Sequence, residues 1–135
     1  MSVMDFELDN VPDLEVAPDG EYKLTIASAE ARTDKNGNPG VMLRFRVGRP
    51  NTKQCGRWIS LPGEADNEED RNNKIRRLKA FRDAFHLGFT TSSQFISMCD
   101  DKSLLGKEAY AVLVVKEDAE YGDSNEIKRF VVPKA

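Results

Sequence analysis

The chain has 135 residues, 39% of them hydrophobic and 32% charged, which is enough for one domain with a core of its own. No apolar run approaches the ~18 residues needed to cross a bilayer, and the opening "MSVMDFELDNVPDLEVAPDG" has neither the basic nor the apolar region of a secretion signal. The net charge of −3 hides an asymmetry: residues 1–20 carry six carboxylates and no Lys or Arg, whereas residues 21–135 carry 20 basic and 17 acidic side chains.

That split predicts an acidic, flexible N-terminal arm, residues 1–18, on a mildly basic domain, residues 19–135. Cys55 and Cys99 lie far apart, with no further Cys or His at metal spacing. Neither a disulfide framework nor a zinc site is expected, and a reducing, cytoplasmic compartment is.

In chain order, Asp19-Gly20 opens a first strand in which Leu24 and Ile26 alternate with Lys23 and Thr25. "DKNGNPG" is dense in turn formers. Asn36-Gly37 favours a hairpin turn, and Pro39-Gly40 is expected to forbid regular structure. A second strand follows, with Val41, Leu43, Phe45 and Val47 on one face and Met42, Arg44 and Arg46 on the other. Residues 47–56 read as a loop carrying Arg49 and Lys53.

"GRWISL" is the third strand, ending at Pro62-Gly63. Alternation puts Arg57, Ile59 and Leu61 on one face and Trp58 and Ser60 on the other. The main helix comes next, with Ile75, Leu78, Phe81 and Phe85 on its apolar stripe. Glu68, Glu69 and Asp70 suit its start and Gly88 its end. Residues 90–99 suit a short second helix capped near Ser92 or Ser93. "LLGKEAYAVLVVKED" reads as a central strand and "IKRFVV" as the last, where alternation keeps Lys128 and Phe130 apart from Arg129. The predicted fold is therefore mainly β with one main helix: a five-stranded, OB-fold-like Greek-key barrel with the helix between strands 3 and 4.

The chemistry points to binding. Trp58, the only tryptophan, is expected to face outward beside Arg44 and Arg46. An aromatic ring among cations can stack a base while the cations hold phosphates. Lys53 and Arg57 extend this basic set, and Tyr121, in the turn-rich loop before the last strand, is a further stacking candidate. No Gly-rich phosphate loop and no nucleophile elbow is present, and the single histidine, His86, suits a helix end. The chain is read as non-enzymatic, with no cofactor.

The segment "DGEYKLTIASAEARTDKNGNPGVMLRFRV" resembles small phage-type single-stranded-DNA-binding proteins. The likeness rests on Gly20 and Tyr22, on the turn Lys35, Asn36, Gly37 and Pro39, and on the alternating strand after it. The later "GRWISL", "IRRLKAFRDAFHLG" and "LLGKEAYAVLVVKE" fit the same layout over residues 18–132. The resemblance implies an OB-type fold that coats single-stranded DNA with little sequence preference, in the cytoplasm of a bacterial host. Replication or recombination proteins would be partners, no membrane would be involved, and a homo-oligomer is left open. One departure is that many such proteins end in an acidic tail, whereas this chain ends "RFVVPKA" and is acidic at its N-terminus. The arm is expected to imitate a phosphate chain and compete for the Arg44–Arg46–Trp58 groove. The rival reading is a protein–protein adaptor using the same face, since Trp, Met and Arg are enriched at interfaces.

Overall fold

Alternation of apolar and polar side chains gives each strand one buried face, and five such strands roll around a shared interior. The computed structural model describes residues 13–132. The elements are β1 (Gly20–Thr33), β2 (Pro39–Val47), β3 (Cys55–Ser60), α1 (Glu68–Ala84), α2 (Ser92–Asp100), β4 (Glu108–Lys116) and β5 (Ser124–Phe130). All strand pairs are antiparallel, in the order β3-β2-β1-β4-β5, and β3 comes back beside β5 to form a nearly closed barrel.

β1 makes the closure possible. Its first half pairs with β4 and most of its length with β2, and a register shift between Ile26 and Ser28 bends it from one partner to the other. Leu24, Ile26, Val41, Leu43, Phe45, Ala111 and Leu113 fill the interior with no exposure. From α1, Leu78, Phe81, Ala84 and Phe85 join them. Phe81 packs its ring 4.9 Å from Phe85, 5.7 Å from Phe95 and 5.6 Å from Phe130, tying both helices to the last strand. Ile75, expected on this stripe, is 39% exposed.

Three local expectations change. Pro39-Gly40 does not break the chain but begins β2, where Pro39 pairs with Thr33 and its carbonyl accepts from Leu61 N–H. A proline at the first residue of a strand forfeits little of the ladder. The β1–β2 connection is a three-residue loop, Lys35 to Gly37, closed by Asp34 N–H to Asn38 O at 2.9 Å, with Gly37 at φ 81°. Helix α2 is capped by Thr91 rather than by a serine, its hydroxyl accepting from Gln94 N–H.

The end of α1 is the third change. Gly88 plays no capping part: the helix stops at Ala84, and His86 takes the left-handed conformation at φ 55°. Leu87 N–H reaches Arg82 O at 2.9 Å and His86 N–H reaches Asp83 O, a Schellman closure with histidine where glycine is usual. Lys102 does the same after α2, at φ 62°. A side chain in this conformation costs about 1 kcal/mol or more, partly offset because glycine loses more freedom on folding. His86→Gly should therefore stabilise the protein by somewhat under about 1 kcal/mol, raising the melting temperature by a few degrees. An unchanged or lowered melting temperature would mean that the imidazole is held by contacts that repay the strain.

Two residues of the stretch before β1 make backbone contacts with the barrel. Glu15 forms a parallel bridge with Thr52, its N–H donating to Asn51 O and its carbonyl accepting from Lys53 N–H, each at 2.8 Å. Ala17 is fully buried, with its N–H and C=O both bonded to the Asn125 side chain at 2.8 Å. Glu15 and Ala17 are thus tied to the barrel by their backbones, while Asp13, Leu14 and Pro18 stay exposed. The rest of the predicted arm, residues 1–12, lies outside the described residues.

Candidate nucleic-acid interface

The outer face of β2 and β3 follows from the register. Met42 stands opposite Trp58, Arg44 opposite Gly56, and Gly40 opposite Ser60. Two glycines decide what the large side chains do there. A Cβ on Gly40 would lie 2.1 Å from Trp58 Cζ2, so the indole occupies the space where that side chain would stand. A Cβ on Gly56 would lie 2.9 Å from Met42 Cε. Trp58 and Met42 therefore lie down over the glycines on the sheet. The indole is half-buried, and its Nε1–H donates to Ser60 Oγ at 3.2 Å.

Beside this apolar platform stand Arg44 and Arg46, both exposed. Across β1 their neighbours are Ser28 and Thr25, which are uncharged. Among the described residues neither arginine has a carboxylate within ion-pair distance, in contrast to Lys23, which pairs with Glu108 at 2.9 Å, and Arg32, which pairs with Glu30. The Glu108 hydrogen bond and charge raise the Lys23 pKa. Tyr110, 52% exposed, continues the outer face opposite Lys23.

The β1–β2 and β4–β5 loops are built alike. Asp34 accepts from the Asn36 and Asn38 N–H groups at 2.8 and 2.9 Å. Asp118 accepts from Glu120 and Tyr121 N–H at 2.8 and 3.0 Å. These backbone bonds, to Asn38 and to Tyr121 above all, hold each carboxyl below its usual range. Tyr121 is carried at the tip of the second loop, 82% exposed, next to Gly122 at φ 81°.

The predicted site residues thus divide. Arg44, Arg46 and Trp58 share one surface. Lys53 is exposed on the β2–β3 loop, held by its backbone to Glu15, and Tyr121 sits on a separate loop. Arg57 does not join the outer face. It lies opposite Leu43, turned to the seam where β3 meets β5. There its Nη1–H donates to Ile127 O at 2.9 Å and its guanidinium sits 5.6 Å from the Phe130 ring centroid. Burial, with the nearby charge of Arg77, lowers its pKa, and Glu126 opposes this.

The seam also holds residues that the sequence pattern sets apart. A register shift between Val112 and Leu113 places an extra residue in β5, so that Ile127 pairs with Leu113 and Phe130 with Ala111. Strict alternation separates Lys128 and Phe130 from Arg129. The extra residue is Lys128, so Ile127 and Phe130 both face the core while Lys128 and Arg129 come together outside it. Lys128, Arg129 and the edge of Phe130 line one cleft of about 290 Å³ with Arg57, Ser60 and Arg77. No sequence signal marks that bulge. The basic face of α1 is mostly engaged elsewhere: Lys74 with Asp66 at 2.9 Å, Arg82 with Asp83, and Arg76 with Asn73.

Among the described residues, no group of three or more His, Cys, Asp or Glu is placed to hold a metal ion. Both thiols are free and buried, and burial pushes each up to about 11, away from the nucleophilic thiolate. No described helix is long and apolar enough to cross a membrane. A comparison with curated proteins finds no match. A family description does match, over residues 4–133, and the chain belongs to that family, described as "Protein of unknown function (DUF669)".

Proposed function

We propose that the protein binds single-stranded DNA with little sequence preference on the outer face of β2 and β3, without enzymatic activity. The observation that carries this reading is the pairing of a flat Trp58–Met42 platform with two exposed arginines that no carboxylate neutralises among the described residues. Such a surface offers a stacking plane for bases and cations for the backbone beside it. The strand order and the helices between β3 and β4 support reading the barrel as an OB-type Greek key, whose strand 2–3 face and flanking loops are a usual ligand surface. Protection or presentation of single strands in phage-type replication and recombination is the role that fits. An overall acidic pI does not oppose it, because the local field governs binding.

Titration with oligothymidylate tests this. Quenching of Trp58 emission is expected, and Trp58→Ala should weaken binding by roughly 1–3 kcal/mol. Arg44→Ala and Arg46→Ala should each lower affinity across sequences and make the log–log salt slope shallower by about 0.7. No spectral change at saturation removes Trp58 from the site. If the face instead captures a protein with little salt dependence, the adaptor reading replaces this one.

A further inference from the structure

The seam between β3 and β5 is closed differently along its length. At one end residues 15–17 bridge Thr52 and Asn125. In the middle Arg57 ties β3 to the Ile127 carbonyl. Beside it lies the cleft, lined by Arg57 to Ser60 of β3, Lys128 to Phe130 of β5, and Arg77 and Ala80 of α1. Four cations line it, Arg57, Arg77, Lys128 and Arg129, and no carboxylate does. Arg77 and Arg129 are exposed and in no ion pair among the described residues. Like charges crowded around a concavity repel one another unless an anion sits among them, and low-dielectric walls strengthen the attraction for that anion.

The cleft is continuous with the outer face. Trp58 and Ser60, hydrogen-bonded to each other, belong to the platform and also to the rim of the cleft. Among the described strands β3 shares a hydrogen-bonded ladder with β2 alone, so a single strand lying over Trp58 can turn round the other edge of β3 into the cleft that faces β5.

We propose that this cleft is a second phosphate subsite, which takes the backbone of a single strand as it leaves the β2–β3 face. The proposal rests on the reading of that face as the DNA surface. Arg77 and Arg129 would meet the phosphates, while Arg57, fixed to Ile127 and stacked on Phe130, sets the floor. The sugar–phosphate chain is the class of ligand recognised, since the lining supplies cations and only one aromatic ring beyond Trp58.

The test compares two oligothymidylates, of about 5 and about 16 nucleotides, the range of site sizes known for such barrels. The double variant Arg77→Gln/Arg129→Gln changes two exposed side chains and should keep the fold, which circular dichroism and melting check. For the long oligonucleotide it should bind about tenfold more weakly at low salt, with a slope shallower by about 0.7 for each phosphate that is no longer neutralised. For the short one, affinity and slope should stay as in the unaltered protein. Equal effects on both lengths, or none on either, overturn the subsite. If Arg44→Ala weakens both oligonucleotides while the double variant weakens neither, the outer-face reading survives alone. If the unaltered protein binds neither length, both readings fall together.

Discussion

Asn125→Ala should lower the free energy of unfolding by about 2–4 kcal/mol. The amide of Asn125 is buried and works as a strand would: its oxygen accepts Ala17 N–H, its nitrogen donates to Ala17 O, and a longer contact of 3.5 Å reaches Val114 O. Ala17 is itself fully buried. Truncation leaves a backbone donor and acceptor without partners where water has poor access, and the cost of such orphaned groups exceeds the worth of the bonds removed. Asn125→Asp separates the two hydrogen bonds. The carboxylate still accepts from Ala17 N–H but faces the Ala17 carbonyl with no proton to give. It should be at least as damaging at neutral pH and recover as acid protonates it, because only the protonated form donates. Denaturant melts of the three proteins across pH measure this. If Asn125→Ala unfolds at the unaltered midpoint, residues 13–17 are not held as described. For the same reason, removal of residues 1–18 tests the fold as much as any competition with DNA.

Gly40→Ala should cost about 1–3 kcal/mol, and the cost should depend on Trp58. The added methyl would enter the indole at 2.1 Å, with Cε2 and Cη2 at 2.5 and 2.7 Å, all atoms of one rigid ring. The ring must swing off the sheet, giving up its packing and its bond to Ser60. Its emission should shift to the red as water reaches it. In a Trp58→Ala background the same substitution meets nothing rigid and should be nearly neutral, so a double-mutant cycle isolates the clash. Equal cost in both backgrounds would show that Gly40 serves the backbone and not the indole.

Period and punctuation make much of this legible in the sequence. The inner face of β2, Val41, Leu43 and Phe45, and its outer face, Met42, Arg44 and Arg46, follow from strict alternation, which a regular ladder preserves. The apolar stripe of α1 is equally plain from Leu78 to Phe85. Legibility ends where the ladder is irregular or a partner is remote in sequence. The β5 bulge rephases Lys128, Arg129 and Phe130, and nothing local announces a bulge between ordinary residues. Arg57 looks like one more surface cation because alternation gives its face but cannot say that β5 waits across the seam. Gly40 reads as a breaker because its use, leaving room for an indole 18 positions later, exists only once β2 and β3 are paired. His86 replaces Gly88 as the left-handed residue because the closing hydrogen bonds fix the position, and propensity only ranks what fills it.

The bond between Ala17 and Asn125 joins positions 108 residues apart. A ribosome delivers them in that order, so Ala17 waits for its clamp until the last strand emerges, although Glu15 can meet Thr52 much earlier. The hairpin of β1 and β2, and β3 beside it, can assemble early from neighbouring sequence, whereas the seam must wait. A contact between positions so remote in sequence is expensive to close early, and we expect it to form after the transition state. Removing the Asn125 clamp should thus accelerate unfolding far more than it slows folding, giving a protein that reaches its native state on time and does not keep it.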